Sequence, residues 1–284
     1  MTLKYASLTG RLAGLGGEKW EIHALARKKV AEGCDILEMT IGEPDIPTPV
    51  PLIDAASRAM RAGRTGYSNG RGEPGLLAAL AARYSRNTGR TIGADQILCF
   101  PGTQTSLYAA MMGIAEAGDE VLVGDPMYAS YEGVIAASGA RAVPVPLDAA
   151  NGFRIRAADI EARITPQSRV IFLNSPHNPT GAVLTRKDIT EIGALAVKYD
   201  LWILADEVYE ALVFDGETFT SPLAFPEFAD RVIVVASISK AHAAPGFRSG
   251  WCIGSAEFIA HLLPLAETIL FGNQPFIADM TAEA

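Results

Sequence analysis

Cysteine is scarce in this chain, and the three present, Cys34, Cys99 and Cys252, stand far apart with no CxxC spacing. A disulfide framework and the usual zinc spacings are therefore excluded, and a reducing compartment fits best. Long apolar runs are missing as well: the longest are strand-sized, too short to span a bilayer. The opening segment, MTLKYASLTGRLAGLGG, has no apolar h-region of a secretory signal. These absences predict a cytoplasmic protein with no membrane partner. Blocks of basic residues are also lacking. With 24 Lys and Arg against 32 Asp and Glu, the formal net charge is −8, which makes nucleic acid a poor partner. No internal repeat, low-complexity tract or metal-binding motif is visible.

What is present is ordinary globular material. The chain has 284 residues, 49% of them hydrophobic and 20% charged, enough to bury a sizeable core. From Gln96 onward, β-rich runs alternate with helical patterns. The strand candidates are QILCF (96–100), EVLVG (120–124), RAVPVP (141–146), RVIFLN (169–174), LWILA (201–205), RVIVVAS (231–237) and WCIGS (251–255). Apolar strands alternating with helices predict a three-layer α/β/α domain with a mostly parallel sheet. Its ligand crevice should lie beyond the carboxyl ends of the strands.

The first part of the chain differs. Helical stretches near 19–33, 51–62 and 75–87 flank the Gly- and Pro-rich segment IGEPDIPTPVP. We divide the chain into 1–50, an N-terminal arm with part of a small domain, and 51–284, the large ligand-binding domain. The final FIADMTAEA reads as the opening turns of a helix with no Gly cap or polar tail after it, so we expect a truncated chain.

Five segments at predicted strand ends carry chemistry. In PGTQTSLYAAM, Gly102 followed by Thr103 and Gln104 opens a helix, where free N–H groups and the helix dipole favour a phosphate; the plainer reading is a Gly turn with Thr103 as N-cap. In DPMYASY, the Tyr128 ring could lie against a planar heterocycle, or simply fill the core; Tyr131 reads as helix packing. In LNSPHNPTG, Asn178 is held before Pro179 and can donate to a ligand oxygen, whereas His177 reads as a loop residue. In LWILADEVYEALVF, Asp206 closes an apolar strand and needs a cation, such as a protonated ring nitrogen, with Tyr209 three residues on. Glu207 reads as a helix-start residue. In SISKAHAAPGFRSGW, Lys240 follows Ser237 and Ser239 and precedes Arg248. A desolvated lysine suits Schiff-base chemistry, and Arg matches phosphate oxygens. A phosphate cradle, a stacking ring, donors to a phenolic oxygen, an anion for a pyridinium and an amine for an aldehyde together describe pyridoxal 5'-phosphate.

From about Trp20 to its last residue, the chain resembles the class I and II aminotransferases of the aspartate aminotransferase superfamily, fold type I. The specific pieces are SPHNPTG, the Asp-x-x-Tyr of ADEVY, and Ser-x-Ser-Lys with an arginine eight residues later. The resemblance implies that Lys240 carries pyridoxal phosphate as a Schiff base, with Asp206 on the ring nitrogen and Asn178 and Tyr209 on the phenolic oxygen. It implies Gly102, Thr103, Gln104, Ser237, Ser239 and Arg248 around the phosphate. Gly42 matches a loop that contacts the substrate carboxylate, where Asn178 also belongs. Tyr67 matches a tyrosine that reaches the phosphate of a neighbouring subunit, which implies a homodimer. The catalytic set is then Lys240, Asp206 and Tyr209, and the expected reaction moves an amino group from an L-amino acid to a 2-oxo acid such as pyruvate.

Relatives also carry, in a smaller C-terminal domain, an arginine that clamps the substrate α-carboxylate. Here the last arginine is Arg248, already assigned to phosphate, and this strengthens the expectation of truncation. The segments ASLTGRLAGLGGEKWEIHALA and DPMYASYEGV look most like arginine–pyruvate transaminases. A carbon–sulfur β-lyase, or a pyridoxal-phosphate-binding fragment without the clamp and without catalysis, remain alternatives on the same residues.

Overall fold

The structure, a computed structural model, describes residues 3–15 and 17–284, with 17–19 as backbone alone. Met1, Thr2 and Gly16, part of the arm assigned to 1–50, lie outside the described residues.

All seven apolar runs form strands of a single sheet. They are β1 (Ile97–Phe100), β2 (Glu120–Asp125), β3 (Arg141–Pro146), β4 (Ser168–Asn174), β5 (Trp202–Asp206), β6 (Val232–Ser237) and β7 (Gly250–Ile253), in the order β1-β7-β6-β5-β4-β2-β3. From β6 across to β3 every pair is parallel. Strand β7 is the exception, antiparallel to both β6 and β1. Its direction follows from its connection: residues 238–249 form a loop with no crossover α-helix, and parallel neighbours usually need one.

Helices cover both faces. They are α1 (Ser7–Leu12), α2 (Gly17–Ala31), α3 (Val50–Arg61), α4 (Pro74–Thr88), α5 (Thr103–Ile114), α6 (Tyr131–Ser138), α7 (Ala157–Glu161), α8 (Arg186–Lys198), α9 (Ala256–Ile269) and α10 (Pro275–Glu283). Side chains alternate between the layers along each strand. On β5, Ile203 and Ala205 join one core with Leu52 of α3, Leu80 of α4 and Ile192 of α8. Leu204 points the other way, into a core shared with Met111 of α5, Ile135 of α6 and Leu262 of α9.

Local chemistry sets the ends. Helix α8 starts at a reciprocal cap: Asp188 N donates to Thr185 Oγ1 at 3.2 Å and Thr185 N to Asp188 Oδ2 at 2.8 Å. Helix α4 stops at Gly89, whose φ of 68° suits a residue without a Cβ. Helix α10, read in sequence from FIADMTAEA, docks on α3 and α4. Its Ile277, Ala278 and Met280 are buried with Leu52 and Ala55. Polar ties add to this: Thr281 Oγ1 donates to Ser249 Oγ at 2.8 Å, and Arg64 Nε to Asp279 Oδ2 at 2.7 Å.

The sheet brings the last residues of β1, β2, β4, β5 and β6 to one edge: Phe100, Asp125, Asn174, Asp206 and Ser237. Every chemistry-bearing loop picked out in sequence leaves from that edge. Among the described residues, no helix is long and apolar enough to cross a membrane.

Candidate active site

A cavity of about 170 Å³ opens at this edge, lined by Thr103, Gln104, Tyr128, Asn178, Asp206, Tyr209, Ser237, Ser239, Lys240 and Arg248. Ten of the residues singled out in sequence thus share one space, although they come from five separate loops.

One end suits an anion. Gly102, at φ 87°, caps α5, and the first N–H groups of that helix lack intrahelical partners. Thr103 Oγ1 is buried and has no hydrogen-bond partner among the described residues. Arg248 lies across Gly102: a Cβ there would sit 2.2 Å from Arg248 Nη2. Its Nη1 donates to Pro245 O at 2.8 Å, which leaves the rest of the guanidinium fork turned to the cavity. Ser237 and Ser239 are both buried, and Ser239 N donates to Ser237 Oγ at 3.2 Å.

Another part of the lining suits a cation. Asp206 is 4% exposed at the tip of β5. Val208 N donates to its Oδ1 at 3.1 Å and Tyr131 Oη to its Oδ2 at 2.8 Å. Burial pushes its carboxyl up to about 6, although both hydrogen bonds favour the ionised form. A buried carboxylate held ready in this way gains most from a cationic partner.

Asn178 Nδ2 donates to Tyr209 Oη at 3.2 Å. Asn178 itself is fixed from below, its N–H donating to Asn174 Oδ1 at 2.8 Å. Burial raises the Tyr209 phenol above its usual range, and the Asn178 bond offsets part of that. Tyr128 is partly exposed and edge-on to Tyr131 with centroids 5.5 Å apart. Lys240 Nζ donates to the Gly42 carbonyl. Burial pulls the Lys240 amine below its ordinary value, with the Glu43 charge acting the other way.

Some residues fall elsewhere. Tyr67 is 95% exposed beside Phe271 and does not line this cavity. His177 lines a small apolar space with Val123 and Phe172, and its Nδ1 meets Thr180 Oγ1 at 2.7 Å, in keeping with a loop residue. Glu207 does not start a helix, because the chain after β5 runs through turns. It is 1% exposed and accepts from Ser221 Oγ at 2.6 Å, so it is a buried structural group. Tyr131 was missed as a site residue. It does pack, with centroids 4.3 Å from Phe172, but its hydroxyl also holds Asp206.

Residues 35–284 match the family described as aminotransferase class I and II. The chain is 43% identical over 282 residues to the arginine–pyruvate transaminase of Pseudomonas aeruginosa, covering 99% of this chain and 72% of that protein. It is 38% identical over 240 residues to an aspartate aminotransferase of Streptomyces avermitilis, covering 84% of this chain and 59% of that one. Among solved structures, the aspartate aminotransferase from Thermus thermophilus with maleate superposes with a TM-score of 0.93 at 29% identity, covering 100% of this chain and 73% of the other. The chain therefore spans roughly three fifths to three quarters of these relatives' lengths.

Proposed function

The chain belongs to the class I and II aminotransferases, and on that premise we propose that it moves an amino group from an L-amino acid to a 2-oxo acid such as pyruvate, with pyridoxal 5'-phosphate held at Lys240. One observation carries the reading: Lys240 and Asp206 line the same cavity as Thr103 Oγ1, a buried hydroxyl with no partner among the described residues. The residues fit the cofactor at both ends. An unpaired hydroxyl, free helix N–H groups and Arg248 suit a phosphate, and Asp206, costly where it stands, suits a protonated ring nitrogen.

Bound there, pyridoxal phosphate supplies an aldehyde for an amine to condense with and a ring that withdraws electrons from the substrate Cα. Lys240 Nζ would hold that aldehyde, and as a free amine it would be the group that takes up and returns the proton of the substrate Cα. Its lowered pKa leaves more of it unprotonated for both tasks. Asp206 keeps the proton on the ring nitrogen, and Tyr131 keeps Asp206 ionised and aimed. Asn178 and Tyr209 would donate to the phenolic oxygen, and Tyr128 would cover the ring. Thr103, Gln104, Ser237, Ser239 and Arg248 take the phosphate, with Gly102 leaving room for the guanidinium. Gly42 places its loop by the substrate carboxylate. Tyr67 serves the site of a second copy in a homodimer, and its exposure supports that assignment. A cytoplasmic location fits the unpaired thiols of Cys34, Cys99 and Cys252.

The test is amino transfer to pyruvate by the cofactor-loaded chain and by Lys240→Ala. Transfer should vanish in the variant; near-wild-type transfer would overturn the assignment. Pyruvate and ammonia released from cystathionine with no oxo acid present would instead favour the β-lyase alternative.

A further inference from the structure

Next to the phosphate end lies a buried polar cluster that the mechanism does not use. Ser249, the residue after Arg248, is fully buried, and its hydroxyl is held from two sides. Asn273 Nδ2 donates to Ser249 Oγ at 3.2 Å, and Thr281 Oγ1 lies 2.8 Å from the same atom. Thr281 is anchored in turn at the Ile277 carbonyl, one turn back on α10, at 2.7 Å. We propose that Thr281 and Asn273 are positioning residues for the cofactor's phosphate: through Ser249 they fix the backbone of Arg248, and so the place of its guanidinium. The inference rests on the pyridoxal phosphate reading and adds to it two residues that do not line the cavity.

Arg248 needs such support. Its φ is 52°, in the left-handed region, where a residue with a Cβ stays only if its surroundings hold it. On the side towards Lys240 the hold is local: Arg248 N reaches Pro245 O at 3.4 Å, and Nη1 the same carbonyl at 2.8 Å. On the other side, Ser249 is bound through its backbone, where Ile238 N donates to Ser249 O at 3.2 Å, and through its hydroxyl by Asn273 and Thr281. The anchors are themselves well seated. Asn273 is 1% exposed and Thr281 6%, and Ile277, Ala278 and Met280 of α10 lie in one core with Ala244 and Trp251, which flank Arg248. A hydroxyl buried there is costly unless paired, so the contacts to Ser249 favour one geometry over others. With the oxygen of Ser249 or Thr281 removed, Arg248 would be free to relax towards negative φ, and its guanidinium would leave its place across Gly102.

The test compares two ligands that differ only in the phosphate. The cofactor-free full chain is titrated by fluorescence with pyridoxal phosphate and with pyridoxal, in the unsubstituted protein and in Ser249→Ala, Thr281→Val and Thr281→Ser. Ser249→Ala and Thr281→Val should each raise the dissociation constant for pyridoxal phosphate by about fivefold or more and leave that for pyridoxal unchanged. Thr281→Ser keeps the hydroxyl and should stay near the unsubstituted protein. Should Thr281→Val disturb α10, Ser249→Ala, which removes one oxygen within the loop itself, decides alone. In an Arg248→Gln background, Thr281→Val should add nothing, because the group it acts through is gone. That arm separates Arg248 from Tyr67, whose loop the same segment touches: a Cβ on Gly272 would lie 2.7 Å from Asn69 O. Constants that rise alike for both ligands would overturn the proposal, as would constants that do not move or a Thr281→Val effect that persists in full beside Arg248→Gln. An unsubstituted chain that binds pyridoxal phosphate no more tightly than pyridoxal is a different failure: it removes the phosphate assignment, and this inference with it.

Discussion

The Arg248 guanidinium occupies the space that any side chain on residue 102 would need, since a Cβ on Gly102 would lie 2.2 Å from Arg248 Nη2. The φ of 87° favours glycine, and a Cβ there would in addition push the guanidinium aside. Gly102→Ala should displace the guanidinium from the phosphate end. We expect the dissociation constant for pyridoxal phosphate to rise by about tenfold or more, with the sheet unaltered. A fluorescence titration of the cofactor-free chain measures it, and an unchanged constant would remove Arg248 from the phosphate site.

Tyr131→Phe keeps the contact with Phe172 and removes the donor to Asp206 Oδ2. Hydrogen bonds to charged groups contribute about 1.5–3 kcal/mol, so the Asp206 carboxyl should become harder to ionise by roughly one pH unit or more. Carbon-13 NMR of the aspartate carboxyls in the cofactor-free protein reads this directly. A titration that stays near 6 would show Tyr131 to be packing alone.

Asp206 also sets a pH dependence of stability. Its folded value is about 6 against an ordinary 3.8. Between those values the folded state holds a proton that the unfolded state gives up, so stability falls as pH rises through the window. The loss amounts to roughly 3 kcal/mol once ionisation is complete. In the cofactor-free protein, Asp206→Asn should therefore gain stability relative to the unsubstituted chain by about that much between about pH 4 and about pH 7. Denaturant unfolding at several pH values checks this, and a flat difference contradicts it.

Lys240 shifts the other way: burial lowers its pKa, and Glu43 moderates the effect. Glu43→Gln should lower it further, so that the free amine appears at lower pH. The rate at which pyridoxal phosphate attaches, followed by absorbance, should begin its rise at lower pH than in the unsubstituted protein. An unchanged profile would mean that Glu43 does not act on this amine.

Helix α10 contributes stability from the far end of the chain. Met280 is fully buried, and Met280→Ala should cost about 2–5 kcal/mol in a denaturant melt. A loss of a few tenths would mean the helix is only loosely docked.

The strands were legible because each is an apolar run bounded by turn residues, and a sheet covered on both faces asks for nothing else. The ligand-facing residues were legible where a rigid loop or an expensive charge advertised them, as at Asn178 before Pro179 and at Asp206. Helix α9 was not read, because Pro264 sits inside AEFIAHLLPLAETI and a proline ordinarily interrupts a helical pattern. The direction of β7 was also hidden, since the apolar pattern of WCIGS is the same whichever way the strand runs. Tyr131 was read for half of its role. Its hydrogen bond to Asp206 spans 75 residues of sequence, and no local spacing announces a contact of that range.

The loop 238–249 holds Lys240 and Arg248 between two strands locked in register, with Ser237 opposite Gly250 and Ile238 N bonded to Ser249 O at 3.2 Å. It therefore works as a gauge. The reach from Lys240 to Arg248 is set by the hairpin before any ligand arrives, so an aldehyde whose acidic group hangs at the wrong length can satisfy one anchor only by leaving the other. Adding or removing one residue between 241 and 244 would recalibrate the gauge without replacing a residue that lines the cavity.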